Sequence, residues 1–238
     1  MSGKDKLRKF KENAAFTSLY QPSLDEIFGN DYELKGKWNA SVFKNSNPIV
    51  LELGCGKGEY TVALSLKFPD KNFIGIDIKG ARLWKGARFA HENRLENVAF
   101  IRTRIDFITS FFAENEISEI WITFADPQLK RGRKRLTGIM FLNRYKQFLK
   151  SDGIIHLKTD SRFLHEYTLA LAKQNNLKVI EANHDIYGSN RADDILSIKT
   201  FYEQQFLEQG FAITYLAFCP NSVSILKEPV WEKEKYTR

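Results

Sequence analysis

Cysteine is nearly absent from this chain: Cys55 and Cys219 are the only two in 238 residues, and neither belongs to a CxxC pair. A disulfide framework and a cysteine zinc site are both unsupported, and such usage suits a reducing compartment. No apolar run approaches the ~18 residues that span a bilayer, so no membrane partner is expected. Residues 1–10 lack the apolar core of a secretory signal, and a cytoplasmic location is expected. Histidine is sparse as well. His91, His156, His165 and His184 are scattered without ligand spacing, so no metal is expected. Internal repeats and low-complexity segments are missing too. A monomer and a homodimer are both compatible with what remains.

What is present is a basic chain long enough for one α/β domain with a full core. Lysine and arginine number 36 against 29 acids, a formal charge of +7. They cluster in the first ten residues and again over 130–135. A phosphate-rich partner and plain solvation are the two readings of such clusters. Residues 1–45 read as a basic, partly disordered arm to about Asn13 followed by a lead-in, and 46–238 as the catalytic domain. From Pro48 strands and helices alternate, the mark of a parallel sheet. Strands are expected at 49–53, 72–78, 98–102, 117–124, 153–158, 178–182 and 211–218. Helices are expected at about 59–67, 82–94, 106–113, 138–150 and 161–174.

The first strand, Ile49–Leu53, contains Glu52 and breaks into Gly54-Cys55-Gly56-Lys57-Gly58. Alternate glycines let backbone approach a ligand with no Cβ in the way. The second strand carries Asp77, about twenty residues on, where a ribose diol is gripped in nucleotide-binding sheets. The dinucleotide fingerprint G-x-G-x-x-G is not met, because the third glycine comes one residue early. Glu52 would also stand awkwardly beside a pyrophosphate. It suits a cationic, phosphate-free nucleoside such as S-adenosylmethionine.

Other strands end near acids on the same rim. The third leads to Arg104, Ile105 and Asp106, the fourth to Asp126-Pro127-Gln128, the fifth to Lys158-Thr159-Asp160. Asp106 and Asp160 also read as helix N-caps. Asp126, followed by proline, starts a helix poorly and reads as functional. Next comes Lys130-Arg131-Gly132-Arg133-Lys134-Arg135, placed to draw a polyanion toward the rim.

These residues carry a resemblance. The segment Phe124–Leu136 resembles the F-P-D-P-W-x-K-x-R-x-x-K-R-R loop of the tRNA (guanine-N7-)-methyltransferases. Thr200-Phe201-Tyr202-Glu203-Gln204-Gln205-Phe206 resembles that family's T-x-Y/F-E-x-x-F signature. Thr159-Asp160 and the Glu52–Gly58 stretch fit two further motifs. Ala125, Gln128 and Arg104 depart from the family's proline, tryptophan and acid or amide. The resemblance implies a Rossmann-like class I S-adenosylmethionine-dependent methyltransferase fold, a seven-stranded, mostly parallel sheet with helices on both faces and its last strand inserted antiparallel.

It also implies an activity, methyl transfer to guanine N7 at position 46 of the tRNA variable loop. Cofactor contacts fall on Glu52, Gly54, Gly56, Gly58, Asp77, Arg104, Ile105 and Asp126. Substrate contacts fall on Lys130, Arg133, Asp160, Thr200, Tyr202 and Glu203, with Asp160, Glu203 and Asp126 as catalytic acids. Spacing alone leaves Thr200 and Glu203 open to a second reading, a helix capping box. Two other functions stand beside the leading one: a methyltransferase of the same fold with another acceptor, and a non-catalytic RNA-binding module. The N/D-P-P-Y/F tetrapeptide of amino-methylating enzymes is missing after strand four, and the intact acidic rim argues against a mere binder.

Overall fold

The computed structural model describes residues 3–221, 225–231 and 236. Its contacts divide the chain into two units, Met1–Ile117 and Ser118–Arg238. Eight strands form the sheet among the described residues, one more than expected. No helix among them is long and apolar enough to cross a membrane.

The first unit opens with α1 (Gly3–Asn13). This is the segment expected to be a mobile arm, and it is helical because its charges pair along one face. Arg8 meets Asp5 at 2.8 Å and Glu12 at 2.7 Å, the i−3 and i+4 neighbours. The helix lies on α4 (Gly80–Glu92). There the Trp84 indole donates to Glu12 at 2.6 Å, and the Asn13 amide donates to the Gly80 carbonyl at 2.9 Å. Residues 1 and 2 lie outside the described residues.

The extra strand comes from the lead-in. After α1, β1 (Leu19–Tyr20) pairs parallel with β4 (Val98–Arg102), Leu19 opposite Phe100. A short α2 (Leu24–Ile27) and a π-helical turn at Trp38–Phe43 follow. Trp38 anchors this region: it has no exposed surface, its indole donates to the Phe111 carbonyl at 2.8 Å, and Tyr20 meets it edge-on at 5.2 Å. A two-residue strand is too short for hydrophobic alternation to announce it.

Then come β2 (Ile49–Leu53), α3 (Glu59–Lys67) and β3 (Asn72–Asp77). The strand order in this unit is β1-β4-β3-β2. Its pairings are parallel, with Glu52 opposite Gly75 and Asp77 opposite Arg102. β2 and β3 are buried throughout, which explains their mostly apolar, non-alternating sequence. The helix expected at 106–113 is a 3₁₀ segment, Ile105–Ser110.

In the second unit β5 (Ile117–Thr123) leads through a long loop with a 3₁₀ turn at Gly132–Lys134 to α5 (Ile139–Tyr145). α5 ends earlier than expected, because Leu149 already belongs to β6 (Leu149–Thr159). α6 (Arg162–Gln174), β7 (Lys178–Asn183), α7 (Phe201–Glu208) and β8 (Thr214–Cys219) complete the unit, ordered β5-β6-β8-β7. β8 is antiparallel to both β6 and β7, as the resemblance implies. Thr159 pairs with Thr214, which fixes the end of β6.

Candidate active site

Three alternate glycines shape the cradle in the first unit. Gly54, Gly56 and Gly58 adopt φ of +76°, +56° and +69°, a region strained for any residue with a Cβ. Their surroundings differ. A Cβ at Gly54 or Gly56 would meet nothing within 4 Å, whereas at Gly58 it would lie 2.6 Å from the Phe100 ring. Gly58 therefore serves close packing at the start of α3. Gly54 and Gly56 leave open space beside bare backbone, as a cofactor requires. The Gly54 and Cys55 amides both donate to the Ile76 carbonyl, at 2.8 and 3.1 Å, tying the loop to β3.

Asp77, at the end of β3, organises the same loop. One carboxylate oxygen accepts from the Gly56 amide at 3.0 Å and the other from the Lys79 amide at 2.7 Å. Glu52 is 3% exposed and turned toward α3. Its Oε2 accepts from the Thr61 amide at 2.8 Å and from the Thr61 hydroxyl. This differs from an acid standing open before the loop. Burial, with Glu52 and Asp77 adding to it, pushes the Cys55 thiol well above its usual range, so Cys55 is no thiolate.

Arg104 takes the N-cap position of the 3₁₀ segment, and its guanidinium meets Asp106 at 3.3 Å. Asp106 lies inside the first turn, so its reading as the cap falls. Ile105, half-buried, follows Arg104 directly.

In the second unit, Phe124 (φ +50°) and Gln128 (φ +52°) bracket Ala125-Asp126-Pro127 in the left-handed region. Each such non-glycine residue costs about 1–3 kcal/mol and persists where the surroundings over-determine it, commonly at ligand sites. Asp126 is exposed, and its Oδ1 accepts from the Gln128 amide at 2.9 Å in an Asx turn. The Phe124 amide donates to the Lys158 carbonyl at 2.9 Å, and its ring stacks with Phe206 at 6.0 Å. Lys130, Arg131, Arg133 and Lys134 are exposed, but Arg135 is buried.

Asp160 directly follows β6 and is half-buried, and that burial raises its carboxyl above the ordinary range. It is not a helix cap. Ser161 caps α6, its hydroxyl accepting from the Leu164 amide at 3.2 Å. Thr200 and Glu203, in contrast, do form the capping box of α7. The Thr200 hydroxyl accepts from the Glu203 amide at 3.2 Å, and the Glu203 carboxylate accepts from the Thr200 amide at 3.4 Å.

Glu203, expected to meet the substrate, is enclosed. The side chain has no exposed surface. Its carboxylate lies 2.8 Å from the Lys158 amine and accepts from the Tyr187 hydroxyl at 2.8 Å. Lys158 also donates to the Leu196 carbonyl at 2.7 Å and the Ile198 carbonyl at 3.0 Å. Burial lowers the Lys158 amine, opposed by Glu203. Glu203 thus stands behind the 196–203 segment, while its neighbour Tyr202 is exposed.

The motifs do not name Thr61, which holds Glu52 in the first unit, nor Lys158 and Tyr187, which hold Glu203 in the second. Only Lys158 leaves a trace in the sequence, as a cation near the end of β6 beside the apolar Ile154, Ile155 and Leu157.

A family model described as a putative methyltransferase matches residues 46–216. The tRNA (guanine-N(7)-)-methyltransferase of Christiangramia forsetii is 58% identical over 221 residues, 92% of this chain and 99% of that protein. The protein of the same description from Bacteroides fragilis is 51% identical over 232 residues, 98% of this chain and 92% of that one. Among solved structures, the 16S rRNA methyltransferase KamB superposes with TM-score 0.59 at 12% identity, over 75% of this chain and 90% of that one. An antibiotic-related methyltransferase gives 0.58 at 15% identity, over 79% and 95%. At such identities the two structures speak to fold alone, which is that of a class I methyltransferase. The chain belongs to the tRNA (guanine-N7-)-methyltransferase family.

Proposed function

We propose that this protein transfers a methyl group from S-adenosylmethionine to guanine N7 in tRNA, at position 46 of the variable loop. The observation that carries the reading is a set of carboxylates with no histidine base among the site residues. Guanine N7 bears a lone pair and no proton at neutral pH, so its methylation requires no general base. Placement and charge compensation are what it requires. Position 46 is supported by the likeness of the Phe124–Leu136 loop to its counterpart in the family.

When bound, S-adenosylmethionine supplies a methyl activated by the sulfonium charge. The open space at Gly54 and Gly56 and the Asp77 carboxylate fit its nucleoside part. Glu52, Gly58, Arg104, Ile105 and Asp126 complete the set assigned to it. The N7 lone pair forms the new N–C bond as the C–S bond breaks. Its electron pair stays on sulfur, and the positive charge passes to the purine. Asp160 offsets that charge and accepts hydrogen bonds from the guanine amino or imino group. Lys130, Arg131 and Arg133 attract the phosphate backbone. Thr200 and Tyr202 face the acceptor, while Glu203 holds them in place through Lys158 and Tyr187.

Incubation with unmodified tRNA and methyl-labelled cofactor, followed by nucleoside mapping by mass, tests the reading. Label in 7-methylguanosine at position 46 is the expected result. Label at another guanine overturns the position, label in another nucleoside overturns the acceptor, and no label overturns the enzyme.

A further inference from the structure

Arg135 closes the basic run but does not share its surroundings. It is 5% exposed, whereas Arg131, Arg133 and Lys134 are open to solvent. Its Nε donates to the Pro127 carbonyl at 3.1 Å and its Nη2 to the Gln128 carbonyl at 3.3 Å. The guanidinium lies 3.9 Å from the centre of the Tyr167 ring and 4.9 Å from that of Phe163, both on α6. The platform is itself braced. The Tyr167 hydroxyl donates to Glu228 at 2.9 Å, and Trp231 packs edge-on against Phe163 at 5.0 Å.

We infer that Arg135 is a positioning residue for the Asp126-Pro127-Gln128 loop rather than a phosphate contact, and that it fastens this loop to α6, the helix that follows Asp160. The loop is bounded by two non-glycine residues in the left-handed region, so something must hold it there. The Asx turn of Asp126 constrains the loop from within. Arg135 constrains it from outside, through two successive carbonyls that no helix or strand pairs. Both acids assigned to the reaction in this unit are thereby referred to one rigid helix. Lysine cannot substitute, since the role needs a planar fork spanning two carbonyls and a flat face stacked on an aromatic ring.

The inference rests on the proposed role of Asp126, and the test separates the two. Steady-state methylation, tRNA affinity against salt, and thermal unfolding are measured for Arg135→Lys, Arg135→Ala, Asp126→Asn and the double variant Arg131→Ala/Arg133→Ala. Arg135→Lys should lose roughly ten- to hundredfold in kcat, as small misplacements do. The tRNA Kd of Arg135→Lys should stay within about twofold of the parent, and the salt slope of Arg135→Ala, which removes the charge, should be unchanged, because no counterion is released at a buried guanidinium. The double variant should do the reverse, raising Kd and flattening the slope. Guanidinium at sub-denaturing concentration should restore part of the kcat of Arg135→Ala, and ammonium should not.

Full kcat in folded Arg135→Lys, together with a loss in Asp126→Asn, would overturn the inference alone. So would a flattened salt slope in Arg135→Ala. Full kcat in Asp126→Asn would overturn the reading on which it rests.

Discussion

The amine of Lys158 and the carboxylate of Glu203 form an ion pair at 2.8 Å in which neither side chain has any exposed surface. The amine's other two acceptors are the carbonyls of Leu196 and Ile198, so one cation gathers the 196–203 segment onto the end of β6. Two residues further along is Asp160. A pair so buried is costly to desolvate and costlier to break.

Removing one partner should therefore destabilise strongly. Lys158→Met or Glu203→Gln alone is expected to cost about 3–5 kcal/mol in chemical denaturation, since each leaves a buried group unmatched. The double variant Lys158→Met/Glu203→Gln should be less destabilised than the sum of the single ones. Additive losses in that cycle would contradict the pairing.

The glycine cradle separates backbone strain from packing. Gly54→Ala meets only an unfavourable φ, whereas Gly58→Ala adds a clash with Phe100 at 2.6 Å. Gly54→Ala should lower stability by about 1 kcal/mol and Gly58→Ala by several times that. Urea unfolding of both variants checks the order. Equal effects would mean that Phe100 yields without cost.

Asp77→Ala should weaken S-adenosylmethionine binding by roughly ten- to hundredfold in calorimetry, the worth of about 1.5–3 kcal/mol for bonds to a charged group. Glu52→Ala should also lower the melting temperature, because Thr61 at the start of α3 loses its acceptor. Unchanged affinity in Asp77→Ala would detach the cofactor from this cradle.

The alternation of strands and helices from Ile49 onward is legible in the sequence because β2 and β3 are buried throughout and read as mostly apolar, non-alternating runs. The lead-in is not. β1 is two residues long, and the indole of Trp38 bonds to Phe111, 73 residues away. Motif spacing likewise finds the acids but not their surroundings. Asp160 and Glu203 read alike in the chain, yet one is half-buried beside Ser161, the actual cap, and the other is enclosed with Lys158. Arg133 and Arg135 stand two positions apart with opposite burial. Tertiary neighbours decide each case, and no local pattern carries them.

Asp160 also makes a pH prediction. Burial raises its carboxyl above 3.8, so the folded protein holds the proton more tightly than the unfolded chain. Its stabilising contribution is full below 3.8 and is lost as pH rises through the raised value. In the role proposed for Asp160 the ionised form is the active one. Activity should therefore appear over the pH interval in which this stabilisation disappears.

The account's central claim is that an ionised Asp160 compensates charge while no group removes a proton. Single-turnover methylation at saturating cofactor, measured from acid pH to pH 9 for the parent and Asp160→Asn with 7-methylguanosine read by mass, tests it most directly. The parent rate should rise once, through the raised carboxyl, and stay flat between pH 7 and 9. Asp160→Asn should be slower at the plateau and lack that acid limb. A rise with a basic midpoint between pH 7 and 9, abolished in Asp160→Asn, would identify a general base and contradict the account.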